Sequence, residues 1–301
     1  MSKKIKTSVV CLILSIDKSP WKDIQELGQN ETFVSSGTKN LVYLRYLGHD
    51  TANLPISARI ALAFKGLQRL VFTAISESRM LGFVSNLSLL RLGDNTLQKT
   101  YLWGLPATQL RRDSQSGNSK SPDTLLTQSL EHYALIGLKT IQAFQYVIDN
   151  YDFDYIFRTN TSSYVDGELL VDLTKEMGEG DVLGGVPVET RFGEFASGAG
   201  ILLSRPLVLK ILEQRHRWRH GLIDDVALSK LVEEYVNPKV LLTPLPRLDI
   251  SSLEKAKLVN DEEMQDAYHI RCKTDSPDET IQIMKEIWLR KTTQISETKL
   301  T

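Results

Sequence analysis

The run Val9–Ile16, "VVCLILSI", restricts the fold more than any other stretch of the chain. Lysines precede it, as they would in a signal peptide, but only Asp17, Lys18, Ser19 and Pro20 follow, and no small-residue cleavage site is present. It is also too short to span a bilayer, which takes roughly 20 apolar residues. A short, nearly continuous apolar run bounded by polar turns is the pattern of a strand covered on both faces. The run is therefore expected to be the first strand of an α/β sheet. "NLVYLRYLG", Asn40–Gly48, has the Val and Tyr content of a second strand, and "PWKDIQELGQN" between them predicts a short helix or ordered loop.

Further along, Leu126, Leu130, Tyr133, Leu138, Ile141, Phe144 and Ile148 recur at helical spacing. They predict one amphipathic helix over 124–150, with Gly137 as its weak point. "NYDFDYIFR" then gives a turn and a buried strand from Tyr155 to Phe157, and a helix followed directly by such a strand is half of a βαβ unit. The pattern continues with a helix over 167–176, a strand in "DVLGGVPV", a glycine-flexed strand over 197–204 and a helix over 206–214 with Pro in its first turn. A second helix follows over 224–235, then a strand in "KVLLTPLP". From Ser251 a charged helical tail is interrupted by "AYHIRCK". The polar stretch 110–123 predicts a surface loop, and residues 54–92 show no assignable element. With no linker or repeat in view, residues 1–248 are expected to form one catalytic domain, and 249–301 an extension packed on it.

Charge narrows the partners. Against 36 basic residues stand 37 acidic ones, so no global field draws the chain to nucleic acid or to an anionic membrane. Two distant cysteines, Cys11 and Cys272, make no disulfide framework and point to a reducing, cytoplasmic setting. No other segment approaches membrane-spanning length.

Three stretches carry candidate chemistry. In "ASGAGILLS", Gly198 and Gly200 let backbone approach a ligand closely, although a glycine bulge at a strand edge has the same appearance. In "GLIDDVALSKLV", Asp224 and Asp225 open an amphipathic helix. One of them can be a helix cap, and the second is free to act as a general base. In "RTNTSSYVD", a polar turn of Asn160, Thr161, Ser162 and Ser163 follows the buried strand, and Ser163 is placed to cap the next helix. That turn offers no carboxylate, whereas Mg²⁺ and Mn²⁺ prefer carboxylate oxygens.

In this order and spacing, the three stretches resemble the GT-A glycosyltransferases. The likeness is greatest to the branch containing the β1,3-galactosyltransferases, β1,3-N-acetylglucosaminyltransferases and fringe. Arg158 and Thr159 match that branch's Lys-Thr. Asn160, Thr161 and Ser162 stand where its three metal-binding aspartates would be. Gly198, Ala199 and Gly200 match its sugar-supporting strand, and Asp224, Asp225 and Val226 match the segment that supplies its inverting base. "HYALIGLKT", with Leu138, Lys139 and Thr140, resembles its Tyr-containing helix. The resemblance covers about residues 125–235. It implies an α/β fold of the GT-A, Rossmann-like kind: a mostly parallel central sheet flanked by helices, here with a helical C-terminal tail.

The resemblance also implies an activity: transfer of a hexosyl or related group from a nucleotide-sugar, with a UDP-sugar favoured, to a glycan or other hydroxyl acceptor, with inversion. Asp225 is the preferred base and Asp224 its partner. Donor contacts are expected from Arg158, Asn160, Thr161, Ser162, Gly198, Ala199 and Gly200. Lys139 is a further donor candidate, unless its stem only covers its helix. Ser15 and Asp17 are two more, at the end of the first strand, where a plain turn is the competing reading. No protein metal ligand is expected, and any Mn²⁺ or Mg²⁺ dependence should be weak. The charge that a metal would supply is expected from His269, Arg271 and Lys273, which share one face if "YHIRCK" is extended. A solvated basic edge strand is the alternative. A catalytically silent sugar-nucleotide or glycan binder is the rival to an enzyme, although a binder has no use for the Asp224–Asp225 pair. A nucleotidyltransferase or other Rossmann-like enzyme is weakened by the lack of a glycine-rich phosphate loop.

Overall fold

The computed structural model describes residues 4–51, 60, 107–111, 122–190 and 193–298. The chain begins with β1 (Ile5–Lys6), β2 (Val9–Leu14), α1 (Trp21–Asp23, continued by a wider turn over Ile24–Gln29) and β3 (Leu41–His49). Then come β4 (Gln109–Arg111), β5 (Asp123–Leu130), α2 (Ile136–Asn150), β6 (Tyr151–Asp152), β7 (Tyr155–Asn160), β8 (Ser163–Val165) and α3 (Gly167–Glu176). β9 (Leu183–Thr190), β10 (Gly193–Ser204), α4 (Arg205–Glu213) and α5 (Asp224–Leu231) follow. The last part holds β11 (Leu242–Pro244), β12 (Leu248–Ile250), α6 (Leu253–Leu258), α7 (Asp261–Asp266), β13 (His269–Cys272) and α8 (Pro277–Thr298).

Among the described residues, eight strands form the main sheet in the order β11–β9–β10–β7–β2–β3–β5–β4. Its centre, β7–β2–β3–β5, is parallel throughout. β10 runs antiparallel to both neighbours, and β4 is an antiparallel edge. This is the mostly parallel, helix-flanked α/β sheet that the apolar runs predict.

Alternation along each central strand builds two cores. Val9, Cys11 and Ile13 of β2 face one side with Tyr43, Phe157, Leu170 of α3 and Ile283 and Ile287 of α8. Val10 and Leu12 face the other side with Leu44, Ile156, Phe144 of α2, Leu207 of α4 and Leu228 of α5. A strand buried on both faces has no reason to alternate in polarity, which explains the continuous apolar run. A small sheet, β12–β13–β8, carries the tail onto the first side. There Lys291 of α8, buried, pairs with Asp166 at 2.9 Å. No helix among the described residues is long and apolar enough to cross a membrane.

Two segments depart from the sequence reading. Residues 124–130 are strand, not the start of a helix: β5 lies parallel to β3, with Leu125 opposite Tyr46, and α2 begins only at Ile136. Leu126 and Leu130 have helical spacing, but strand pairing to β3 decides the outcome. Gly137 lies in the first turn of α2, where an added Cβ would overlap the Trp218 indole, so close packing requires glycine there. In the expected loop 110–123, Leu110 and Arg111 belong to β4 and Asp123 opens β5, while 112–121 lie outside the described residues, as does 61–106. Ser163 belongs to β8 and does not cap α3. Asp166 does so, its carboxylate accepting from the Leu169 amide at 3.2 Å.

The sheet sets the position of the site. The parallel strands β2, β3, β5 and β7 end at one edge, with Leu14 of β2 registered against Asn160 of β7. In open α/β sheets, ligands bind beyond such carboxyl ends.

Candidate functional site

Beyond that edge β10 bulges. It pairs with β9 up to Ala196 and again from Ile201, and in between Ser197–Gly200 swings free of β9 while Gly200 stays registered on Thr159 of β7. A bulge re-aims the backbone it contains. Here it turns the Gly198 amide toward α5, where that amide donates to Asp225 Oδ2 at 2.9 Å. The other Asp225 oxygen accepts from the Val226 amide at 2.9 Å. Neither aspartate occupies the cap position of α5, which is Ile223; both lie in the first turn.

Arg158 explains how the pair is held. Buried in β7, it donates to the Gly198 carbonyl at 2.8 Å and to the Tyr46 hydroxyl at 3.1 Å, and it forms an ion pair with Asp224. The two carboxylates therefore differ in role. Asp224 is bound to the Arg158 guanidinium, while the hydrogen bonds of Asp225 among the described residues come from two backbone amides. Burial, and next the neighbouring Asp224 charge, push Asp225 above the usual carboxylate range, against the pull of Arg158.

The glycines expected to admit a ligand admit protein side chains. A Cβ on Gly198 would lie 2.9 Å from Asp225 Oδ2 and 3.1 Å from the Arg158 guanidinium. One on Gly200 would lie 2.6 Å from His269 Nδ1 and 2.9 Å from the Phe157 ring. Ala199 contributes its carbonyl, which accepts from Thr159 at 2.6 Å.

The polar turn is organised from within. Asn160 Oδ1 accepts from the Ser162 amide at 3.1 Å and the Ser162 hydroxyl at 2.9 Å. The buried Gln29, at the end of the first helical segment, donates to the carbonyls of Asn160, Thr161 and Ser163. Thr161 is buried, whereas Asn160 and Ser162 are partly exposed. This donor set does not fit a hard divalent cation. The turn has no carboxylate, its side-chain amide oxygen is already engaged, and among the described residues no group of three or more His, Cys, Asp or Glu could hold a metal ion.

The tail residues separate. β13 does alternate, and Arg271 is registered against Ser163 of β8 and Asp249 of β12. But His269 is 2 % exposed and within hydrogen-bond distance of Ser163 Oγ, 3.1 Å. Burial, then Arg247, pull its imidazole down to about 3, so it is neutral and not the cation the sequence suggested. Lys273 lies past the strand end and is exposed. Arg271 is partly exposed, and its Nε is buried without a hydrogen-bond partner among the described residues.

Sequence reasoning missed Arg247. Its side chain is buried, is held by both oxygens of Asp249 and reaches Ser197 Oγ at 2.9 Å, one residue before Gly198. It also missed Glu131, which pairs with Lys139. Lys139 is 1 % exposed, too buried to meet a ligand at the surface. Ser15 is buried and donates back to the Ile13 carbonyl at 3.2 Å, while Asp17 lies exposed beside Lys22 at 3.1 Å.

The neutral His269 makes a stability prediction. The unfolded chain protonates this residue near 6.5, the folded chain only near 3. Its folded value is lowered, so folding is progressively penalised as pH falls below 6.5, by about 1.4 kcal/mol per pH unit. Urea titrations at pH 7 and pH 4.5 are expected to show a smaller acid loss in His269→Gln than in the wild type, by roughly 2–3 kcal/mol.

No protein-family model matches this chain, and no curated protein does. Among solved structures, one similar chain is a crystal structure of a glycosyltransferase involved in the glycosylation of the major capsid of PBCV-1. That match has 9% identity, covers 92% of this chain and 99% of that one, and has a TM-score of 0.39. Another is the crystal structure of mouse xyloside xylosyltransferase 1 in its apo form, with 11% identity, 89% and 97% coverage and a TM-score of 0.37. Likeness this distant assigns no chemistry to the chain.

Proposed function

We propose that this chain is an inverting glycosyltransferase that moves a sugar from a nucleotide-sugar, with a UDP-sugar favoured, to a hydroxyl of a glycan or similar acceptor. The observation that carries the reading is Asp225: a carboxylate of raised basicity, fixed by the bulged Gly198 amide, at the carboxyl edge of a parallel sheet. The motif order of the GT-A resemblance agrees with it. A silent binder has no need of a second carboxylate poised in this way.

In the proposed reaction the acceptor oxygen attacks the anomeric carbon while Asp225 takes its proton. The bond from that carbon to the diphosphate breaks, and its electron pair leaves with the diphosphate. Arg271 meets the growing negative charge, with the Asn160 amide and the hydroxyls of Thr161 and Ser162 beside it. Asp17, exposed at the neighbouring strand end, is the proposed contact to base or ribose, while Ser15 is too buried to take part. No divalent ion held by carboxylates enters this scheme.

A thermal-shift screen of UDP-, GDP- and dTDP-sugars, with and without Mn²⁺, tests the donor side. One class of nucleotide-sugar is expected to raise the melting temperature without Mn²⁺. Arg271→Met is expected to weaken that ligand by roughly 10-fold or more, since charge-assisted bonds contribute about 1.5–3 kcal/mol. Stabilisation that appears only with Mn²⁺ would contradict the scheme.

A further inference from the structure

Beside the candidate site, one guanidinium is held by a carboxylate that is free to leave it. Arg247, just before β12, donates from Nε to Asp249 Oδ1 at 2.6 Å and from Nη2 to Asp249 Oδ2 at 2.9 Å. Its other terminal nitrogen, Nη1, donates to Ser197 Oγ at 2.9 Å. The Arg247 side chain is 6 % exposed, whereas the Asp249 side chain that covers its fork is 52 % exposed. Asp249 needs only to turn outward into water to uncover Nε and Nη2, and no core residue has to move.

The fork lies where the leaving group is expected. Asp249 is registered against Arg271 of β13, and Arg271 against Ser163 of β8, directly after the Asn160–Ser162 turn. On the other side, Ser197 precedes Gly198, whose amide holds Asp225. Contacts thus run from the bulge through Arg247 to Asp249, and across β13 to the turn. Lys255 of α6 brings a further cation, its ammonium donating to the Asp249 backbone carbonyl. Burial raises the Asp249 carboxyl, but the Arg247 hydrogen bonds and charge, and then the Arg271 charge, outweigh it and hold the group below its ordinary range. These side chains therefore favour an anion at this place. A planar guanidinium that offers two N–H groups to a carboxylate offers the same two to a pair of phosphate oxygens.

We propose that Arg247 is a second diphosphate-binding residue whose fork Asp249 guards. The diphosphate of the nucleotide-sugar replaces the Asp249 carboxylate on Nε and Nη2, while Nη1 stays on Ser197. The identity of the anion rests on the glycosyltransferase reading. Asp249 is then an internal competitor: it weakens donor binding and returns to the fork as the nucleotide diphosphate departs. Through Ser197, the same guanidinium ties the diphosphate to the bulge that fixes Asp225.

The experiment is isothermal titration calorimetry of inorganic pyrophosphate, and separately of UDP, into the full chain in EDTA. Asp249→Asn keeps the shape of the side chain and removes its charge. It is expected to tighten pyrophosphate by roughly 5-fold or more, because charge-assisted hydrogen bonds are about twice as strong as neutral ones. Removing a negative charge also helps any anion at long range, so the double variant decides. In an Arg247→Met background the gain from Asp249→Asn should vanish, since no fork is left to compete for, whereas a long-range effect would persist. If Arg247→Met does not fold, Arg247→Gln takes its place with the same loss expected. UDP should follow pyrophosphate in every variant. An Asp249→Asn protein that binds pyrophosphate no tighter than the wild type, or a gain undiminished without Arg247, would overturn the proposal. If the gain and its loss appear with pyrophosphate but no nucleotide-sugar binds, the anion site stands and the glycosyltransferase reading fails. Sugar transfer without that pattern would overturn the guarded fork and leave the reading in place.

Discussion

Asp225→Asn is expected to lower turnover by roughly 10²–10⁴-fold, the range that a positioned general base contributes. The variant keeps an oxygen for the Gly198 amide and removes only the charge and the ability to accept a proton. Its fold should survive. A carboxyl whose folded value is raised contributes stability while protonated, and that contribution is lost as pH rises through the raised value. At neutral pH the wild type therefore carries the cost of a desolvated, ionised Asp225 beside Asp224, and the neutral amide does not. A melting temperature within about 3 °C of wild type is expected, with differential scanning calorimetry as the check. In the wild type, kcat/KM should fall on the acid side at a pH above about 3.9, the ordinary aspartate value. A near-normal rate in a folded Asp225→Asn protein would remove the proposed base.

Arg158→Met is expected to have the largest effect on stability. Its guanidinium is fixed by the Asp224 ion pair, the Gly198 carbonyl and the Tyr46 hydroxyl, and burial and Asp224 act on it most strongly. Removing it takes the buried guanidinium away from Asp224, at a cost of about 3–5 kcal/mol. The melting temperature should fall by on the order of 10 °C. Activity should fall with it, because the Ser197–Gly200 bulge and α5 are both hung on that guanidinium. Tyr46→Phe removes one of the three contacts and is expected to cost far less, about 1 kcal/mol. Equal losses in the two variants would show that the Asp224 pair is not what holds the site together.

Why some of this was legible in the sequence, and some not, follows from how local each cause is. β2 and β7 could be read because a strand covered on both faces is apolar without interruption, and α3 because its apolar spacing lies within its own residues, although its cap is Asp166 and not the Ser163 that the sequence suggested. Asp224 and Asp225 stood out as adjacent carboxylates opening a helix. β5 was misread because its leucines also satisfy helical spacing, and only the β3 backbone beside it decides otherwise. Arg247 sits alone in "LPRLDI", and only the return of β12 beside β13 brings it to Ser197. Glu131 had no local signal either: its partners are a backbone amide 83 residues away and a lysine one helix later. His269 was read as a cation from its basic neighbours, but Gly200 and Phe157 close over it and burial removes its charge.

The glycines carry a related lesson. Gly198 and Gly200 are where close approach matters, as their spacing suggested, but the approaching groups belong to the protein. Asp225 and Arg158 crowd the first, His269 the second. The strand expected to form a wall under a sugar is first a clamp that positions Asp225.

The central claim is direct displacement with Asp225 as base and fixed side chains, not carboxylate-bound metal, meeting the diphosphate. The most direct measurement is a proton NMR time course of sugar transfer by the wild-type chain in excess EDTA, with the donor class found in the thermal-shift screen. The account predicts sustained turnover, with the first-formed product carrying the anomeric configuration opposite to that of the donor. Turnover that stops on chelation and returns with Mn²⁺, or a first-formed product of retained configuration, would contradict it.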